Sequence, residues 1–249
     1  HMICALFAGM GTQILSSGSG LTGLTQKIGS QPSYLDQVAA EASAGLRNAA
    51  ANAAIQILNG ALQVETAYNQ IMNDIARALS GAIAALRSME RQCWGFIIQN
   101  VCAAPPAADK TCTAKSGERL RVATSTTFSQ QVIDSQITPL ANQTITNIRK
   151  SDNALKQIND LIAGVTNTSS VDAQRIALVQ LDQLVSSGAL HNQTELATAQ
   201  QQQAAIKDAM GTLVSDTKTA WGDSTDPNVG WCNVNNPSVI QMWIARWKL

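Results

Sequence analysis

One alanine-rich segment without proline most constrains what this chain can fold into. No proline occurs between Pro32 and Pro105, and alanine is the strongest helix former. Steps of three and four alternate along this segment between small or apolar residues, namely Ile57, Ala61, Val64, Tyr68, Ile71, Ile75, Ala78, Ala82, Ala85 and Met89. This sustained heptad rhythm predicts a long helix over residues 33–100, capped by Ser33 and packed along one face.

Two further helices are predicted over residues 125–221. The second begins near Ser125, ends near Ile162 and contains Pro139, which should kink the helix or mark its start. Its face is the stripe Ile133, Ile137, Leu140, Thr144, Ile148, Ser151, Leu155, Ile158 and Ile162. The third runs from about Val171 to Trp221, with a break or bend at residues 186–188. Its early apolar face is formed by Ile176, Leu178, Val179, Leu181, Leu184 and Val185.

Glycine and proline mark the parts of the chain that should not join these helices. Residues 1–32 are predicted to be a flexible Gly/Ser-rich arm, and residues 101–124 a loop with turns. Residues 222–249 form a Trp-rich tail, in which Asn236 followed by Pro237 favours a helix start. In that short helix, one face is predicted to hold Ile240, Trp243, Ile244 and Trp247.

The chain has five cysteines, and their positions indicate two disulfides. We expect these to involve Cys93, Cys102, Cys112 and Cys232, leaving Cys4 as the odd one, and this implies an oxidising compartment. Four cysteines allow three pairings, and buried free thiols are the alternative. Up-down-up helices would bring all four to one end. The expected fold is therefore all-α, an elongated antiparallel three-helix bundle with a small disulfide-stapled, Trp-rich head formed by the loop and the tail.

The inventory of polar residues favours binding over catalysis. Lys and Arg together number 17, as do Asp and Glu, so the balanced total gives no electrostatic reason to expect a nucleic-acid or anionic-membrane partner. Of the two histidines, His191 is expected at the surface beside a turn. No phosphate loop or zinc motif occurs, so we expect neither enzyme activity nor a cofactor or metal. The apolar runs are too short for a stable transmembrane segment.

The segment VDAQRIALVQLDQLVSSGALHNQTELATAQQQQAAIKDAM (171–210) is rich in Gln, Ala and Leu. It resembles the late helix of minor pilins of conjugative type IV secretion systems, the TrbJ-like pilus-tip family. The resemblance implies an exported subunit of the periplasm or of the extracellular pilus, which helps assemble the pilus and mediates cell contact. Its partners would be other secretion-system or pilus proteins, or a surface protein of the recipient or host cell.

Four tryptophans are the candidate interaction residues: Trp94, Trp231, Trp243 and Trp247. Tryptophan often anchors protein interfaces, but these side chains could equally form the small core of the head. Two other functions remain open. The apolar, glycine-rich segment 6–28 fits a helical pore-forming toxin, and the Asn-x-Ser/Thr sequons with the cysteines fit a parasite surface receptor with a helical-hairpin ectodomain.

Overall fold

A computed structural model describes residues 44–166, 171–223, 230 and 232–249 of the chain. The predicted arm, Cys4, Trp231 and the predicted helix start at Ser33 lie outside these residues. The described part is mostly helical, as predicted. Its elements in chain order are α1 (Ala44–Val101), β1 (Thr111–Thr113), β2 (Arg119–Arg121), α2 (Thr127–Val132), a π-helical turn (Ile133–Ile137), α3 (Thr138–Thr166), α4 (Val171–Ser186), α5 (Gln193–Lys218), a second π-helical turn (Thr219–Asp223) and α6 (Pro237–Trp247).

The chain divides into two compact units that share three of these helices. Unit 1 takes α1 up to Asp74 and the residues Thr144–Ala204, and unit 2 takes Ile75–Gln143 and Ala205–Leu249. Each unit has its own hydrophobic core.

The buried face of α1 follows a seven-residue repeat through both units. One row is buried throughout, namely Leu58, Glu65, Met72, Leu79, Leu86 and Cys93. The predicted heptad stripe is buried at each of its members from Ile57 to Ile75 and at Ala82. Its members Ala78, Ala85 and Met89 are only half-buried, and Met89 packs against the core of unit 2.

Unit 1 packs the start of α1 against α3, α4 and the segment that follows α4. Its core includes Leu58 of α1, Ile158 of α3, Leu181 of α4 and Leu190. The predicted break at residues 186–188 is confirmed, because α4 ends at Ser186, Gly188 adopts a positive φ of 71° and α5 begins at Gln193. Glycine takes this conformation without strain. The predicted apolar face of α4 is also wrong at Ile176 and Val179, which are exposed.

Unit 2 contains a β-hairpin where the sequence predicted only a loop. Strands β1 and β2 pair antiparallel with Cys112 opposite Leu120, and Leu120 also bridges Lys248 after α6. Cys112 and Leu120 are buried, which places one face of the hairpin on the core of unit 2. The helix α6 begins as predicted, with Asn236 as the cap that accepts from Ser238 N and proline at the first turn.

The second predicted helix is continuous through Pro139. It starts at Thr127 and passes through the π-helical turn Ile133–Ile137, and Pro139 then falls in the first turn of α3. Proline lacks the N–H that an α-helix interior requires, and a single π-helical turn is a common local adjustment in such a helix. The predicted helix therefore starts at Thr127 and not at Pro139, which the π-helical turn accommodates within it.

Candidate functional site

Two disulfides link the segments that build unit 2. Cys93 of α1 pairs with Cys232, which lies 139 residues away in the chain, and Cys102 pairs with Cys112 of β1. All four belong to one hydrophobic core. The predicted disulfide formation is confirmed, and of the three possible pairings the structure contains the one that joins α1 to the tail.

Three of the candidate tryptophans form a cluster in the same core. The ring of Trp94 lies 4.9 Å from that of Trp243 and 5.9 Å from that of Trp247, measured between centroids. Trp243 and Trp247 are buried on one face of α6, as their spacing predicted, and Trp94 is half-buried. The indole N–H of Trp94 donates to the carbonyl of Ser125 at 2.6 Å. These rings stabilise the unit, and their role in binding a partner stays a prediction.

A shallow cavity opens beside the Cys93–Cys232 disulfide. It measures about 130 Å³ and is lined by both cysteines together with Met89, Gln92, Phe96, Lys218 and Trp221. Phe96 is 53% exposed at this cavity. Phe128 is also exposed, and its ring meets that of Trp221 edge-on at 5.2 Å. We call Phe96, Phe128 and the cavity the aromatic edge of unit 2.

A buried carboxyl group fixes the segment that carries Phe128. Glu90 of α1 is buried and accepts a hydrogen bond from Ser129 N at 2.9 Å. Ser129 lies in the first turn of α2, where backbone N–H groups have no partner within the helix. Glu90 supplies that partner from another helix, and the Trp94–Ser125 bond holds the preceding residues. The aromatic edge is therefore built on a fixed backbone.

Unit 1 contains a buried polar cluster that the sequence did not reveal. The prediction that His191 is a surface residue is wrong, because it is 4% exposed and its Nδ1 lies 2.9 Å from Oε2 of Glu65, itself 0% exposed. Glu65 also accepts from His191 N and from Ser151 Oγ. The ring of Tyr68 stacks on His191 at 3.6 Å. Burial, followed by the nearby Glu195 and Glu65, raises the pKa of Tyr68.

This cluster joins α1, α3 and the segment before α5 by hydrogen bonds. The hydroxyl of Ser151 bonds to Glu65 and not to the imidazole, so the three side chains do not form a relay that would activate a serine. Buried polar groups must be paired, and the three residues satisfy one another. The geometry gives the cluster a structural role, which is to fix how these three segments of unit 1 pack.

Signals for these polar residues were present in the sequence. Glu65 lies midway between Leu58 and Met72 at seven-residue steps, which places a carboxyl group on the buried face. Asn192 and Glu195 form a reciprocal capping box at the start of α5, with bonds of 2.9 and 2.8 Å between side chains and backbone N–H groups. The spacing Asn-x-x-Glu is the signature of such a cap, and it locates the start of α5 next to His191.

The described ranges contain neither a cluster of metal ligands nor a helix that could cross a membrane. Within them, no group of three or more His, Cys, Asp and Glu side chains lies together as ligands for a metal ion. None of the helices in the same ranges has both the length and the hydropathy that crossing a bilayer requires. The comparisons of this chain with protein families, with curated proteins and with solved structures found no match.

Proposed function

We propose that this protein is an exported subunit that works by protein–protein contact, as a minor pilin of a conjugative type IV secretion pilus. In this role it takes part in pilus assembly and cell contact at the pilus tip. The body would be the predicted antiparallel three-helix bundle, and unit 2 would be the part that contacts partners. The resemblance of residues 171–210 to TrbJ-like pilus-tip subunits motivates the choice of system.

The observation that carries the proposal is the aromatic edge beside a disulfide. Disulfides persist in oxidising compartments such as the periplasm and the cell surface, which supports export. Large exposed aromatic side chains on a fixed backbone lose little conformational freedom when they bind, which favours Phe96 and Phe128 as anchors for a protein partner. The buried Trp221, which lines the cavity and contacts the ring of Phe128, would support this surface.

The test is genetic complementation in the native host. Deletion of the gene should abolish conjugative transfer, and the wild-type gene should restore it. The variant Phe96→Asp should keep the helical content and both disulfides, yet fail to restore transfer. Ile176→Asp is a matched control, because Ile176 in unit 1 is also a large apolar residue that is 53% exposed. It should restore transfer fully.

Three results would count against the proposal. Unchanged transfer after deletion of the gene would remove the secretion-system assignment. Equal complementation by Phe96→Asp and Ile176→Asp would remove the aromatic edge as the contact surface. Recovery of the protein from the cytoplasm with reduced cysteines would contradict export.

A further inference from the structure

The outer face of the β1–β2 hairpin carries two exposed arginines. Leu120 in the middle of β2 is buried, so its neighbours Arg119 and Arg121 lie on the opposite, exposed face. On β1 they pair with Thr113 and Thr111, respectively. This face is thus a flat patch of two guanidinium groups flanked by two threonines.

Four more exposed cations lie on the hairpin or on the chain segment bonded to it. Lys110 and Lys115 belong to the hairpin, and Lys248 bridges Leu120 of β2, two residues after Arg246. Within the part of the chain that the structure describes, none of these four cations or the two arginines forms an ion pair. Lys248 pairs with Leu120, so it is on the other side of the sheet from Arg119 and Arg121. We call Arg119 and Arg121, together with the paired Thr111 and Thr113, the basic face.

The side chains of residues 109–121 and 246–248 include two carboxyl groups, those of Asp109 and Glu118. Each accepts a hydrogen bond from a neighbouring residue, but Oε2 of Glu118 has no partner among the described residues. Asp109 accepts from Thr111 Oγ1 at 2.7 Å and from Thr111 N at 3.1 Å. These bonds hold the pKa of Asp109 below its usual range, and a bond from Ser116 does the same for Glu118. The two carboxylates stay ionised, and the six Lys and Arg residues of these ranges still outnumber them by four.

The balanced charge of the whole chain conceals this local excess. The sequence ranges of unit 2 hold 11 of the 17 Lys and Arg residues, but 8 of the 17 Asp and Glu residues. The ranges of unit 1 have the opposite imbalance, with 6 cations and 9 carboxyl groups. A protein that binds the hairpin would therefore encounter an excess of positive charge, although the net charge of the whole chain is zero.

We propose that the basic face is a docking site for an acidic protein segment that binds in an extended conformation. Arginine pairs with carboxylates through two parallel N–H···O bonds, which gives direction as well as attraction. Arg119 and Arg121 are two residues apart on a strand, so their Cα atoms are about 7 Å apart. Alternate side chains of an extended acidic segment have the same spacing, so two successive carboxylates would reach both arginines.

The charge distribution favours a short acidic segment over a long polyanion. At about 0.15 M salt, the interaction between exposed charges is largely screened beyond about 8 Å. A short segment would therefore interact electrostatically with the basic face and little with the rest of the chain. A nucleic acid or an anionic membrane presents charge over a much larger area, and nucleic-acid-binding domains are usually basic overall. This chain has a pI near 6.9, and unit 1 would repel such a surface.

The probe for this inference is a fluorescently labelled peptide of alternating aspartate and serine, with an asparagine peptide as its control. Fluorescence anisotropy at about 0.15 M salt, where unspecific attraction is largely screened, should show saturable binding of the aspartate peptide alone. Arg119→Glu with Arg121→Glu should weaken this binding by about a hundredfold, roughly tenfold for each lost pair. The matched control, Arg149→Glu with Lys150→Glu, changes the net charge equally on exposed residues of α3 and should bind like the wild type.

Circular dichroism and intact disulfides must show that each variant is folded. If the double glutamate variant fails this check, Arg119→Gln with Arg121→Gln removes the charges without reversal and should lose about tenfold or more. Equal binding of the peptide to the hairpin and control variants would overturn the inference. Absence of binding by the wild type would overturn it too. Tighter binding of phosphatidylserine vesicles or single-stranded DNA by the same arginines would assign the face to polyanions instead. None of these results depends on a role in a pilus.

Discussion

In unit 1, α1 packs around a buried, hydrogen-bonded pair of a glutamate and a histidine. In unit 2 the same helix is linked to the tail by a disulfide and packs against buried tryptophan rings. The first arrangement depends on complete pairing of buried polar atoms, and the second on covalent bonds and stacked indole rings. One continuous helix can therefore be held by buried hydrogen bonds in one unit and by disulfides and aromatic packing in the other.

The two arrangements should fail under different conditions. A reductant should affect unit 2, whereas a change to one buried polar residue should affect unit 1. The tryptophans provide a selective probe, because all five lie in the sequence ranges of unit 2 and both tyrosines lie in those of unit 1. Tryptophan fluorescence therefore reports on unit 2, and circular dichroism reports on both units.

Loss of the Cys93–Cys232 disulfide should have the largest effect. This bond closes a loop across a separation of 139 residues, so Cys93→Ser with Cys232→Ser should lower the free energy of unfolding of unit 2 by about 5 kcal/mol. The control, Cys102→Ser with Cys112→Ser, removes the disulfide that spans only 10 residues. It should lower the free energy of unfolding by about 3 kcal/mol. Urea unfolding followed by tryptophan fluorescence measures both. A larger loss in the control would contradict the assigned roles of the two disulfides.

Glu65→Ala should cause the largest loss within unit 1. It leaves His191 N and the imidazole without their buried acceptor, at a cost of about 3 kcal/mol, whereas Ser151 Oγ keeps the backbone carbonyl of residue 65. Glu65→Gln keeps the shape and one acceptor, so its loss should be smaller. The transition seen by circular dichroism should shift to lower urea while the tryptophan transition stays in place. A shift in the tryptophan transition would mean that the two units do not unfold independently.

Two variants of α1 test which of its side chains carry the packing in unit 2. Leu86 is fully buried, whereas Met89 of the predicted stripe is only half-buried. Leu86→Ala should destabilise unit 2 by about 3 kcal/mol and Met89→Ala by about 1 kcal/mol, because only the first creates a large buried cavity. A larger loss for Met89→Ala in urea unfolding would contradict this assignment of the packed face.

The smallest effect concerns the alkaline stability of unit 1. The pKa of Tyr68 is raised by burial and by the nearby Glu195 and Glu65, so the folded state keeps the phenol proton more tightly than the unfolded state. This stability is present below pH about 10 and is lost as pH rises towards the folded pKa. Absorbance titration of Tyr34→Phe, which leaves one tyrosine, should show Tyr68 ionising above pH about 10. Ionisation of Tyr68 at or below that pH would contradict its burial beside two carboxyl groups.

Local signals in the sequence predicted several features well. The end of α1 was placed at residue 100 and lies at Val101, and the Asn236–Pro237 start of α6 is confirmed. The four disulfide cysteines and the buried face of Trp243 and Trp247 were also predicted. These features depend on helix propensity, capping and spacing within a few residues, which a sequence displays directly.

Features that depend on distant partners were missed. The strands of the hairpin have three residues each, too few for a periodic pattern, and Lys248 adds a bridge from the end of the chain. His191 and Glu65 are 126 residues apart, so burial of this histidine follows only from the packing of α1 against the segment before α5. A turn-like sequence around His191 predicted exposure because tertiary contacts are not visible locally.

The most direct test of the central claim, an exported protein whose contact unit is held by disulfides, is peptide mapping of protein purified from its native source without reductant. We expect one linked peptide pair containing Cys93 and Cys232, and another containing Cys102 and Cys112. Free thiols at these four positions, or a bond from Cys232 to a different cysteine, would contradict the account of unit 2 and the argument for export.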